Sequence, residues 1–221
     1  MSLRIPDPAQ RSNLAVFAEH AIRLDPAAVI RLRLRADGLL GAWLATGFDV
    51  LACRVVAGTV SPRDVTYGAD QLLRGLGAGA DDDVYGTVDA GLPMDSAWRG
   101  ALPPETGFAH VDDVPAAVLA DLARQGAELA REHAQAHGPP VSLLDSEVVE
   151  VSDGGQQVAL PMRCVLAMSA MGFLAHDGAA GEVVRVRVTD SWLRIDARFG
   201  SVFRRRAQKV ELTIESAAIS R

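Results

Sequence analysis

VVRVRVTDSWLRIDARFGSVFRRR, residues 183–206, alternates polar and apolar side chains in two runs separated by Thr189, Asp190 and Ser191. A period of two is the signature of half-buried strands, and the short polar break between the runs predicts a hairpin. On the first run Val184, Val186 and Val188 share one face while Arg185 and Arg187 share the other. On the second run Leu193, Ile195, Ala197 and Phe199 oppose Trp192, Arg194, Asp196 and Arg198. Past Gly200 the chain adds Arg204, Arg205 and Arg206.

The pattern occurs a second time near the N-terminus. From Val29 to Arg35, Ile30, Leu32 and Leu34 alternate with Arg31, Arg33 and Arg35. Asp37-Gly38 is a two-residue hairpin signal. Leu39–Thr46 then reads as the return strand and Phe48–Val56 as a third strand after Gly47. Ile30-Arg31-Leu32-Arg33-Leu34, Asp37 and Gly47 match Val184-Arg185-Val186-Arg187-Val188, Asp190 and Gly200 in order. A duplicated helix-plus-sheet unit is one reading of this echo, and chance recurrence of strand patterns is the other.

Helices flank these sheets. Asp7 caps a stretch ending at Leu24, with Pro8 in its first turn and Leu14, Phe17, Ala18, Ala21 and Ile22 on one stripe. Ser61-Pro62-Arg63-Asp64 reads as a second helix start, ending in the glycines from Gly75 to Gly79. From Gly75 to Phe108 periodicity vanishes and Asp81-Asp82-Asp83 forms an acidic run, which reads as a linker. Asp112 or Asp113 and Pro115 open a third helix with Val118, Leu122, Leu129 and Ala130 buried; Gly138-Pro139-Pro140 stops it. Glu147–Val151 and Gln156–Leu160 form a hairpin around Asp153-Gly154-Gly155. Pro161–Leu174 is apolar on nearly every side, so it is buried in its own core or in an interface. Lys209–Ile214 would add a last strand. The expected class is α+β, with two small domains, each a short antiparallel sheet carrying helices on one face. They span 1–78 and 109–221, joined by an acidic Gly/Pro-rich segment over 79–108.

Two stretches carry a resemblance: Trp98-Arg99-Gly100-Ala101-Leu102-Pro103-Pro104-Glu105-Thr106-Gly107-Phe108, and Met171-Gly172-Phe173-Leu174 with Trp192–Phe203. From Trp98 onward the chain resembles a family of uncharacterised two-domain proteins of high-GC actinobacteria. The resemblance implies a bacterial cytoplasmic origin and no particular chemistry.

The bulk numbers narrow the function. At 221 residues, 49% hydrophobic and a mean hydropathy of +0.13, the chain can bury a real core. Its formal net charge of −6 and pI near 5.3 oppose general polyanion binding. Lys209 is the only lysine; a GC-rich coding genome accounts for the arginine excess, which is therefore not read as selection for phosphate binding. Cys53 and Cys164 lie far apart in apolar surroundings, so free buried thiols are expected. The first ten residues lack the apolar stretch of a signal peptide, and no apolar run reaches the ~18 residues needed to span a bilayer. A cytoplasmic protein without membrane contact is the expectation.

The motifs offer surfaces rather than a reaction. Arg31, Arg33 and Arg35 step along one strand face at ~7 Å intervals, near the spacing of successive phosphates on one nucleic-acid strand. Arg185, Arg187, Arg194, Arg198, Arg204, Arg205 and Arg206 form a second basic patch, with Trp98, Arg99 and Trp192 as further contacts. A solvated sheet face, with Asp196 pairing neighbouring arginines, is the bland alternative. A winged-helix reading fails because Pro161–Leu174 offers a groove only Arg163. His133 and His137 share a helix face, yet zinc needs a third ligand. Gly75, Gly77 and Gly79 follow a helix rather than a strand, so they are no dinucleotide fingerprint. Neither a cofactor nor a catalytic residue is assigned. The leading expectation is a non-enzymatic binding or regulatory protein with an unidentified protein or anionic partner. It would be a homodimer through the apolar helix or a sheet edge. Nucleic-acid binding through the same arginines stands second, and an enzyme with an interdomain site third.

Overall fold

Both Arg/Val meanders enter one sheet. The computed structural model describes residues 2–77, 86–132, 140–174 and 181–206. Asp81–Asp83, His133, His137 and the strand expected over Lys209–Ile214 lie outside them. The first half of the chain contains β1 (Ser2–Arg4), α1 (Pro8–Leu24), β2 (Val29–Leu34), β3 (Leu40–Ala45), β4 (Leu51–Val56), β5 (Thr59–Ser61), β6 (Asp64–Gly68), α2 (Ala69–Gly77) and β7 (Thr87–Val88). The second contains β8 (Ala109–Pro115), α3 (Ala116–Glu132), α4 (Val141–Asp145), β9 (Glu147–Ser152), β10 (Gln157–Pro161), α5 (Met162–Ala170), β11 (Val183–Val188), β12 (Trp192–Ala197) and β13 (Gly200–Arg205).

The fold is α+β. An eight-stranded sheet runs β6-β2-β3-β4-β13-β12-β11-β8, antiparallel throughout. Two smaller sheets, β5-β1-β7 and β10-β9, complete it. Instead of two separate main sheets, the meanders join through a seam: Leu51, Ala52 and Cys53 of β4 pair with Phe203, Val202 and Ser201 of β13. Each meander ends in a strand with an unpaired edge, and each edge satisfies the other.

One core lies on the helix side of this sheet. Ile30, Leu32, Leu40, Ala42, Ala52, Val184, Val186, Ile195 and Val202 point into it. Asp7 caps α1 as expected, accepting Ala9 N–H at 2.8 Å, and Leu14, Phe17, Ala18 and Ala21 are buried. α1 reaches across the seam. Phe17 stacks on Phe173 with centroids 6.3 Å apart. His20 Nδ1 lies 2.8 Å from Ala170 O, so that nitrogen carries the proton.

Further expectations change. In α3 the buried residues are Ala116, Leu119, Ala123 and Gly126, one position off the expected stripe, and Val118 and Leu129 are exposed. Ser61–Asp64 does not start a helix: the free edge of β2 captures Asp64–Gly68 as β6, and α2 begins only at Ala69. Asp112–Pro115 belongs to strand β8, because the outer edge of β11 pairs with it before α3 begins at Ala116. The apolar helix α5 is enclosed, every residue from Met162 to Met168 being buried against α3, α4 and β13. It therefore offers no face to a second copy. Residues 86–108, read above as linker, lie along the first half. β7 pairs with β1, Met94 N–H donates to Thr66 O at 2.8 Å, and Asp95 Oδ1 accepts Thr66 N–H at 2.7 Å.

The His20 contact predicts a pH dependence. Burial holds its imidazole below the usual pKa, partly offset by the bond to Ala170 and by Glu19, while Arg23 and Arg54 lower it further. The unfolded chain then binds the proton more readily, so this contribution is complete above about pH 6.5 and is lost as pH falls through the lowered folded value. Urea unfolding at pH 7.5 and 5.5 is expected to show a smaller loss on acidification for His20→Gln than for the wild type. Equal losses would remove His20 from the balance.

Candidate functional site at the seam

The sheet face away from the helices is not a solvated array of arginines. Trp43, Cys53, Trp192 and Phe203 are buried there, and Leu51, Trp98, Leu102 and Phe108 pack on them. Trp43 and Phe108 approach Phe203 with ring centroids 5.1 and 5.9 Å away. The segment carrying Trp98 and Phe108 lies over this face, held by Glu105 accepting Ala36 N–H at 2.9 Å.

That second apolar layer half-buries several outward arginines, and carboxylates meet them. Arg31 forks onto Asp64 at 2.7 Å and lies 5.7 Å from the Trp98 ring centroid. Arg33 approaches the same carboxylate at 3.9 Å. Arg35 pairs with Asp37 at 2.7 Å. These hydrogen bonds raise the pKa of Arg31 and Arg35. Arg187 and Arg194 share Asp196 at 2.8 and 2.7 Å, and Ser201 Oγ donates to it at 2.5 Å. Arg194 also lies over Phe108 and Phe203. Burial pushes the thiols of Cys53 and Cys164 up to about 12, so both are protonated and unreactive.

The rest of the basic patch splits. Arg204 lies on the helix side, 3.5 Å from Asp145, which also pairs with buried Arg163 at 2.5 Å. Strand alternation puts it opposite Arg205, so the three terminal arginines do not act together. Arg206 donates to Thr189 O at 2.9 Å and closes the hairpin end. Arg185, Arg198, Arg99 and Arg205 are exposed and have no ion-pair partner among the described residues. Arg205 stacks over Trp192 at 5.0 Å.

Because the seam is only three residues long, a cleft opens at each end of it. At the Leu51/Phe203 end, a cleft of about 240 Å³ has Val50, Leu51, Trp192 and Phe203 in its walls and Arg99 and Arg205 among its polar lining. At the other end, Gln10, Asn13, Arg54, Arg198, Phe199 and Ser201 line about 370 Å³. A larger cleft of about 910 Å³ runs from the end of α1 to α4, and Arg163 in its lining is occupied by Asp145 and by Phe48 O at 2.9 Å. Among the described residues no group of three or more His, Cys, Asp and Glu is placed to hold a metal ion. No helix there is long and apolar enough to cross a membrane.

The structure brings Arg99, Trp192 and Arg205, three of the candidates read from the sequence, into one cleft that the sequence did not foresee. Sequence reasoning missed Leu51, Arg54, Phe199 and Phe203. The available signal was Arg54, a lone charge on the helix-facing phase of an otherwise apolar strand.

Two domain families account for nearly the whole chain. Residues 1–100 match the family described as "Domain of unknown function (DUF8010)" and residues 103–209 the one described as "Domain of unknown function (DUF8185)". No curated protein sequence matches. Among solved structures, the fold is similar to a putative DNA polymerase III beta subunit from Eubacterium rectale. The TM-score is 0.61 at 11% identity, covering 98% of this chain and 68% of that one. It is also similar to the DNA polymerase sliding clamp of Caulobacter crescentus, with TM-score 0.55, 15% identity and coverages of 100% and 70%. The Bacillus subtilis clamp gives 0.54, 12%, 98% and 68%. At such identities the likeness is one of fold, and this chain spans about two thirds of the length of those clamps.

Proposed function

We propose that this chain is a cytoplasmic, non-enzymatic binding protein. Its principal docking cleft lies at the Leu51/Phe203 end of the seam. The carrying observation is the lining of that cleft: largely apolar walls with two exposed arginines, Arg99 and Arg205, that form no ion pair among the described residues, while the Asp49 carboxylate in the same lining faces Arg163 at 3.7 Å. An unpaired arginine beside an aromatic pocket suits a partner peptide presenting a carboxylate next to an apolar side chain. The paired arginines, Arg31, Arg35, Arg187 and Arg194, hold the second apolar layer in place and leave recognition to Arg99 and Arg205. Any self-association would run through a sheet edge, since α5 is enclosed.

A pull-down from native cytoplasm, with and without nuclease, tests the reading. The wild type is expected to retain a protein partner after nuclease. Arg99→Ala with Arg205→Ala should weaken capture about tenfold or more, a loss typical of charge-assisted contacts. Equal capture by both chains would overturn it. The solution mass of the same sample reports self-association. The likeness to sliding clamps supports nucleic-acid binding as a second reading. That reading requires binding to duplex DNA with a steep salt slope, flattened by Arg185→Ala with Arg187→Ala.

A further inference from the structure

The cleft at the opposite end of the seam has a charge that its surroundings leave unanswered. Arg54 comes from β4 in the first half and Arg198 from the turn between β12 and β13 in the second. Both guanidinium carbons lie near the Phe199 ring, 5.9 and 5.3 Å from its centroid. Arg54 Nη1 donates to Phe199 O, while its Nε is buried without a hydrogen-bond partner. Neither arginine has an ion-pair partner among the described residues. Arg198 also borders the neighbouring cleft that contains Glu182 and Asp196, yet pairs with neither. Among the described residues the cleft lining has no Asp or Glu and is otherwise polar through Gln10, Asn13 and Ser201. Burial lowers the Arg54 pKa, the direction expected of a cation taken from water without a counter-ion.

We propose that this cleft binds a phosphoryl group carried by a small molecule, with Arg54 and Arg198 as its counter-charges and Gln10 and Asn13 as neutral donors. Two forked cations match a tetrahedral dianion better than a single carboxylate does. The 370 Å³ leave room for the group that bears the phosphate. Because the two arginines belong to different halves, the ligand would also tie the seam together. This site shares no residue with the docking cleft, so either reading can fail alone.

Calorimetric titration of the full chain with inorganic phosphate and with adenosine 5′-monophosphate, at fixed ionic strength, tests it. Saturable one-to-one binding is expected for both. Arg198→Gln, an exposed change, should weaken it about tenfold or more. Arg54→Met should abolish it while leaving the ligand-free protein about as stable, since it removes a half-buried charge that has no counter-ion among the described residues. Arg99→Ala with Arg205→Ala should bind phosphate like the wild type. Absence of heat in the wild type, unchanged affinity in Arg198→Gln, or binding of duplex DNA without binding of either small probe would each overturn the proposal.

Discussion

Phe173→Ala is expected to lower the stability of the whole chain by about 3–5 kcal/mol, the usual cost of a large-to-small change at a fully buried aromatic. For a chain of this size that is a fall in Tm of about 6–20 °C. Phe173 is 1% exposed, stacks on Phe17 of α1, and fills the space where a side chain on Gly200 would stand, 2.4 Å from its ring. It follows α5 in the second half yet packs on a helix from the first. The cavity would therefore open under the seam, where α1, the turn into β13 and the end of α5 meet. Phe173→Leu, which keeps most of the apolar volume, should lose much less. Both variants should still unfold in a single transition, because the main sheet and its core are shared. Two separated transitions in Phe173→Ala would show that the halves are independent and that the seam adds little.

Much of this arrangement was legible in the sequence. The alternation of Ile30, Leu32 and Leu34 with arginines, and of Val184, Val186 and Val188 with arginines, correctly assigned strands and faces. Asp7-Pro8 correctly placed the start of α1. What strand periodicity does not report is which edge pairs with which, because backbone hydrogen bonds look alike from every strand. The β4–β13 seam depends on that choice, as do the capture of Asp64–Gly68 by β2 and of Ala109–Pro115 by β11. In both captures a helix-capping signature lost to a neighbouring strand's free edge, a tertiary override of local preference. The fate of the arginines was hidden for a related reason. Outward residues of a strand read as solvated unless something covers them. The cover here is the Trp98–Phe108 segment, whose Gly and Pro content reads as linker. Trp98 itself was the warning, since an indole that size seldom goes unpacked.

That segment supplies a prediction whose sign alone decides the matter. Gly75 sits in α2, and a Cβ there would fall 1.8 Å from Asp89 O and 2.6 Å from Asp89 C. The obstacle is backbone, so no side-chain rotation relieves it. Gly75→Ala should push the strand at Thr87–Val88 away from α2 and break its pairing with Leu3 and Arg4. The cost is expected to be about 3 kcal/mol, the upper range of ordinary overpacking. Limited proteolysis should then cut between 86 and 108 sooner than in the wild type. If that stretch were instead a free linker, α2 would simply gain a better helix former, and the same substitution would stabilise the protein by up to about 1 kcal/mol. Gly77→Ala provides the control. It is the last residue of the same helix, with nothing among the described residues within 4 Å of its would-be Cβ, so it carries the helix-propensity effect without the collision. Destabilisation by Gly75→Ala together with neutrality or slight gain from Gly77→Ala is the outcome that places the 86–108 segment on the first half. The docking cleft depends on that placement, because Arg99 enters it only from there.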